Sequence, residues 1–101
     1  MTPLTQDQTQ ELSEIFRLLG DPTRLGIALA VAGSARPVGE VAESLGLSSS
    51  LVSHHLRLLR AARLVRAERQ GKQVFYPPAD HHVRDVIEDM AEHVREPHQE
   101  D

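Results

Sequence analysis

The sequence predicts a mainly α-helical fold carrying one small β-hairpin, and three observations support that prediction. Apolar residues recur at helical spacing in segments bounded by capping residues and glycines. Two short β-prone runs flank a basic, glycine-containing turn in the second half of the chain. Aromatic content is only 3 %, so the core must be built from Leu, Val, Ile and Ala.

The first helix spans about residues 5 to 19, with Thr5 and Gln8 fitting a capping box. Leu12, Ile15, Phe16 and Leu19 form its apolar stripe, and Gly20 ends it. Asp21-Pro22 starts a second helix, Asp21 as N-cap and Pro22 in the first turn, running to about Ala32 and Gly33. Pro37 precedes a short third helix, Val38 to Leu45, which stops at Gly46. Ser48 caps a fourth, reaching about Ala62. The hairpin is expected from strands Leu64 to Ala67 and Gln73 to Tyr76, with Arg69-Gln70-Gly71-Lys72 as the turn. Pro77-Pro78 breaks the chain and Asp80 caps the last helix, while the tail from about Pro97 is polar. The order helix, helix, short helix, helix, hairpin, helix is a winged helix-turn-helix layout.

At 101 residues, with 40 % hydrophobic and 26 % charged content, the chain reads as one domain, 1–101, of a size that dimerisation helps to stabilise. Within it, 38–62 is the helix-turn-helix, 64–76 the wing and 80–96 a dimerisation and sensor helix. Cysteine is absent, which removes disulfides and thiolate metal sites. No apolar run approaches the ~20 residues of a membrane span, and no signal-peptide core is present. A soluble cytoplasmic protein without a membrane partner is therefore expected. No nucleophile–base pair or glycine-rich phosphate loop is visible, so an enzyme is not expected.

The formal net charge of -4 is unevenly spread. Residues 48 to 76 hold six basic groups against one acid, and residues 80 to 101 hold eight acids against two arginines. A locally basic segment can bind a polyanion whatever the overall sign, although charge alone favours a solvated charged face.

Pattern adds to charge. Ala42 is small where two helices cross, and Gly46 stands where a tight turn needs left-handed backbone. Val52, Leu56 and Leu59 would anchor the fourth helix in the core. Its opposite face then shows Ser50, Ser53, His54 and Arg57, with Ser49 at the start and Arg60 one turn on. Short hydroxyls there allow close approach to double-stranded DNA, while Arg57, Arg60, Arg69 and Lys72 would neutralise phosphates. His55 lies toward the Val52/Leu59 side and reads as a partly buried, hydrogen-bonded histidine.

Asp80, His82, His93 and Glu96 make a second pattern, D-x-H-x10-H-x2-E, along the last helix. All four are ligand types that zinc accepts. Shifting the pattern back one residue gives Ala79, His81, Glu92 and Arg95, which cannot form a site. Eleven residues separate His82 from His93, so they point within about 20° of each other but sit roughly 16 Å apart along the axis. One chain cannot close that site on one ion. Two copies packed antiparallel about a two-fold axis could, and the apolar stripe Val83, Val86, Ile87, Met90 and Val94 asks for the same pairing. Two nitrogens and two carboxylates suit Zn(II); Ni(II) or Co(II) is the alternative, particularly if His81 or His98 joins. Asp80 would also serve as a plain N-cap. Two further readings stay open: a winged-helix repressor that senses no metal, and a module that binds only proteins.

The strings GDPTRLGIALAVAG, VGEVAESLGLSSSLVSHHLRLLRAARLV and RQGKQVFYPPADHHVRDVI resemble the ArsR/SmtB family of bacterial metal-responsive repressors. The resemblance runs from about residue 12 to 96. It implies a homodimer joined through first and last helices that represses at an imperfect inverted repeat of operator DNA and is released by metal. It places the main DNA contacts at Ser49, Ser50, Ser53 and His54. It excludes the cysteine-based arsenic, cadmium and lead sites. It implies a C-terminal-helix site of the SmtB kind, with Asp80 and His82 from one subunit and His93 and Glu96 from the other. The same resemblance implies that a site histidine bonds through its other nitrogen to backbone near Arg63.

Overall fold

The computed structural model describes residues 2–97. Five helices and three short strands follow one another as α1 (Gln6–Leu19), α2 (Pro22–Gly33), β1 (Arg36–Pro37), α3 (Val38–Leu45), α4 (Ser49–Ala61), β2 (Glu68–Gln70), β3 (Gln73–Tyr76) and α5 (His81–Arg95). The helix starts follow the sequence signals. Thr5 and Gln8 complete the capping box of α1, Asp21 accepts from the Arg24 N–H, Ser48 from Leu51 and Asp80 from Val83. Each cap satisfies a backbone donor that the first turn leaves unpaired.

Helices α3 and α4 end in the same way. After α3, Gly46 has φ 66°, and the Leu47 N–H donates to the Ala42 carbonyl at 3.0 Å. After α4, Arg63 has φ 62°, and the Leu64 N–H donates to the Leu59 carbonyl at 2.9 Å. Both are Schellman closures with one left-handed residue. Glycine occupies that position once and arginine once.

The core gathers on α2, α3 and α4: Ile27, Val31, Val41, Val52, Leu56 and Leu59 are almost completely enclosed, with Leu64, Val65 and Ile87 completing it. Helix α1, although 14 residues long, encloses no side chain fully; Ile15 and Leu19 pack half-buried against the core. Among the described residues, no helix is long and apolar enough to cross a membrane.

Three expectations need correcting. The first wing strand is Glu68–Gln70 rather than Leu64 to Ala67. Leu64 and Val65 are core residues whose backbone meets the Pro77-Pro78 segment: Val65 bridges Pro78, and the Arg66 N–H donates to the Pro77 carbonyl at 2.9 Å. Prolines have no N–H to give, so this pairing cannot extend into a ladder. The hairpin turn is accordingly shorter, Gly71-Lys72 alone, with Arg69 and Gln70 in β2 and Gln70 opposite Gln73. Gly71 has φ 63°, which a turn of this kind requires.

The second correction is that the sheet has three strands, in the order β1-β3-β2, both pairings antiparallel. Arg36 pairs with Tyr76 and Pro37 with Phe75, which ties the wing to the start of α3. The third is that Glu96 stands just past α5 as its C-cap instead of lying on it, while Asp80 is the N-cap that the sequence signals.

Candidate nucleic-acid interface and metal centre

Helix α4 is held from one side. Val52, Leu56 and Leu59 are buried, so the opposite face is fixed outward. Ser49, Ser50, His54, Arg57 and Arg60 are exposed there and Ser53 is half-buried. Arg69 in β2 and Lys72 at the wing turn are exposed as well.

Ion pairing separates the six basic groups of this segment. Arg63 pairs with Glu11 of α1, and Arg66 with Glu68. Among the described residues, Arg57, Arg60, Arg69 and Lys72 make no ion pair. These four are the cations that the sequence nominates for phosphate. Groups without internal partners keep their full attraction for a polyanion.

Among the described residues, His55 is the one buried polar residue, 9 % exposed. Its Nδ1 lies 3.2 Å from Nη1 of Arg24, whose Nε donates to the Leu18 carbonyl at 2.8 Å. Burial first, and then the Arg24 charge, lower the imidazole pKa below its ordinary value. The neutral ring therefore accepts from the guanidinium through Nδ1. Sequence pattern located His55 but not Arg24. The DPTR string reads as a helix start, and nothing in it shows that the arginine reaches across to α4.

The four candidate ligands stand at the two ends of α5. Asp80 and His82 occupy its beginning, and His93 and Glu96 its end; all four are exposed. The Asp80 carboxylate is held below its ordinary pKa first by the Val83 N–H, which donates to Oδ1 at 3.0 Å. The His81 ring lies 3.9 Å from that of His82, centroid to centroid. No group of three or more His, Cys, Asp or Glu side chains converges within one chain among the described residues. The donor chemistry suits a borderline cation, but one chain supplies only half a set at each end.

Between those ends lies exposed apolar surface. Val86, Met90 and Val94 are 51 %, 57 % and 68 % exposed, and Phe16 on α1 is 60 % exposed. With Leu19, Leu25 and Leu29 they line a groove formed by α1, α2 and α5. A contiguous apolar patch of this kind is unusual on the surface of a small domain that stands alone.

Comparison with known proteins follows the same lines. Residues 21–67 match the family described as bacterial regulatory protein, arsR family. The chain is 40 % identical over 93 residues to a transcriptional repressor SmtB homolog of Synechocystis, covering 92 % of this chain and 70 % of that protein. The solution structure of the cadmium metal-sensor CmtR from Mycobacterium tuberculosis superposes with a TM-score of 0.72 at 36 % identity, covering 89 % of this chain and 93 % of that one. The homodimeric winged helix-turn-helix DNA-binding domain of Mb0332 from Mycobacterium bovis superposes with a TM-score of 0.78 at 22 % identity, over 100 % of this chain and 99 % of that one. At that identity the likeness establishes the fold alone.

Proposed function

The chain belongs to the arsR family of bacterial regulatory proteins, and from that premise we propose that it is a metal-responsive repressor whose sensor is completed by a second copy of itself. Its place in the family makes it a winged-helix, DNA-binding transcription regulator rather than an enzyme. The finer reading has three parts.

The first is a homodimer through α1 and α5. A 14-residue helix that encloses no side chain fully and exposes Phe16, next to exposed Val86, Met90 and Val94 of α5, is stabilised in water when a partner covers it. The second is DNA recognition by α4. Ser49, Ser50, Ser53 and His54 reach base edges, and Arg57, Arg60, Arg69 and Lys72 hold phosphates at an inverted-repeat operator.

The third is the metal site. Asp80 and His82 of one subunit would join His93 and Glu96 of the other, giving two equivalent sites across the two-fold axis. The single observation that carries this reading is the arrangement of α5: two donors at each end, three turns apart, with an uncovered apolar seam between them. A bound divalent cation would supply a link between the two terminal helices. That link favours one dimer geometry over another, and because the coupling is reciprocal, about 1–3 kcal/mol shifts DNA affinity by one to two orders of magnitude.

Zn(II) fits two imidazoles and two carboxylates best. Ni(II) or Co(II) is the second reading, supported by the nearness of the His81 and His82 rings, which places another donor at the same end, while His98 lies outside the described residues. A cadmium sensor among the relatives does not extend that metal to this chain, which contains no cysteine.

The test is DNA binding by wild type and by His93→Ala, with and without Zn(II), Ni(II) or Co(II). His93→Ala should bind operator normally without metal and should no longer be released by it. Metal-driven release of that variant would rule out the site.

A further inference from the structure

We propose that Arg24 is a positioning residue for DNA reading: through His55 it fixes the recognition helix α4 against the end of α1. This inference rests on the reading of α4 as the helix that meets the bases.

Three contacts define the joint. The Arg24 backbone N–H donates to Oδ2 of Asp21 at 2.9 Å, which seats the residue in the first turn of α2. Its Nε donates to the Leu18 carbonyl at 2.8 Å, in the last turn of α1. That leaves Nη1 against Nδ1 of His55 at 3.2 Å, a contact between residues 31 positions apart in the chain. One planar guanidinium thereby spans α1, α2 and α4, using the fixed fork of donors that distinguishes arginine from lysine. Arg24 makes no ion pair among the described residues, so its directional bonds are to the Leu18 carbonyl and to His55.

The position on α4 matters. His55 is the neighbour of His54 on the outward face, their ring centroids 5.5 Å apart, and it stands two residues from Ser53 and Arg57. The other anchors of α4 are apolar: Val52, Leu56 and Leu59. Apolar packing holds a helix in place but is non-directional, and tolerates small rotations about its axis. A charged hydrogen bond at one atom does not. Rotation of α4 would carry Ser50, Ser53 and His54 away from the base edges while leaving exposed arginines near phosphate. The joint should therefore govern sequence-specific affinity much more than general affinity for DNA.

The experiment compares two probes: a duplex selected by the wild-type protein from a random pool, and a random duplex of equal length. Arg24→Met and His55→Leu should each weaken binding to the selected duplex roughly tenfold, the scale of one hydrogen bond to a charged group. Binding to the random duplex should change less than about twofold, since phosphate contacts dominate there. The double variant should lose little more than either single one. His55→Asn, which keeps an acceptor near the Nδ1 position, should retain most of the selectivity. Arg24→Lys keeps the charge but not the fork and should fall between wild type and Arg24→Met. Thermal unfolding and solution mass confirm that each variant is folded, and the two conservative variants carry the test if an apolar one is not. Equal losses on both duplexes, no loss on either, or an Asn variant as poor as Leu would overturn the proposal. A wild-type protein that selects no duplex over random DNA would instead remove the premise about α4, and the proposal with it.

Discussion

The matched ends of α3 and α4 make opposite predictions from one piece of geometry. Each closes through a left-handed residue, Gly46 at φ 66° and Arg63 at φ 62°. For a residue with a Cβ, that conformation costs about 1–2 kcal/mol relative to glycine. A Cβ at Gly46 would meet nothing within 4 Å, so Gly46→Ala is penalised by its backbone angle and not by a clash. We expect a loss of about 1 kcal/mol after the smaller unfolded-state entropy of alanine is credited. For a chain of this size that lowers Tm by about 4–8 °C.

Arg63→Gly should run the other way. It relieves the angle but gives up the pair with Glu11, whose side chains are 78 % and 49 % exposed. An exposed pair of that sort contributes about 0–1 kcal/mol. Glycine's larger unfolded-state entropy takes back part of the relief, so the net change should be a small gain of about 0.3 kcal/mol, and Arg63→Ala, which loses the pair and keeps the strain, should be the least stable of the Arg63 series. Thermal unfolding at one fixed protein concentration is the assay, because subunit association makes Tm concentration-dependent. A neutral Gly46→Ala, or an Arg63→Gly as damaging as Gly46→Ala, would refute the argument.

Two further predictions concern charge. Asp80→Asn should keep the helix start, since asparagine caps as well as aspartate, so helicity and unfolding should hold while metal affinity measured by calorimetry falls; unchanged affinity would leave Asp80 as a cap alone. For His55, the folded pKa lies below its ordinary value of 6.5, so the unfolded chain takes up the proton first. Its contribution to stability should be complete above that ordinary value and decline as pH falls toward the folded pKa. His55→Asn should flatten that part of a stability-against-pH curve, and an unaltered curve would show that another group produces it.

Much of this was legible in the chain because local chemistry decides it. Thr5, Asp21, Ser48 and Asp80 are side chains whose oxygen satisfies the first-turn donors, and each caps a helix where expected. The Val52, Leu56, Leu59 spacing likewise fixed which face of α4 turns outward. What could not be read depends on distant partners. Leu64-Val65 has strand-like composition, yet its neighbours are prolines that cannot continue a ladder. Arg36–Pro37 is too short, and its proline too atypical, to announce a strand. Arg63 holds a position where pattern expects glycine. Arg24 is invisible because its partner lies 31 residues away. For the candidate metal centre, the spacing of Asp80, His82, His93 and Glu96 is local information. Its proposed closure would need a second subunit, and the structure of one chain does not display that.

A metal site shared between subunits is tested most directly by mixing them. His82→Ala and His93→Ala are prepared separately, and metal stoichiometry is measured for each and for the two combined after subunit exchange. Neither variant alone should bind metal tightly. In each mixed dimer, the His82 of one subunit meets the His93 of the other, and one complete site returns. No recovery on mixing, or full metal binding by either variant on its own, would contradict a site shared across the dimer axis.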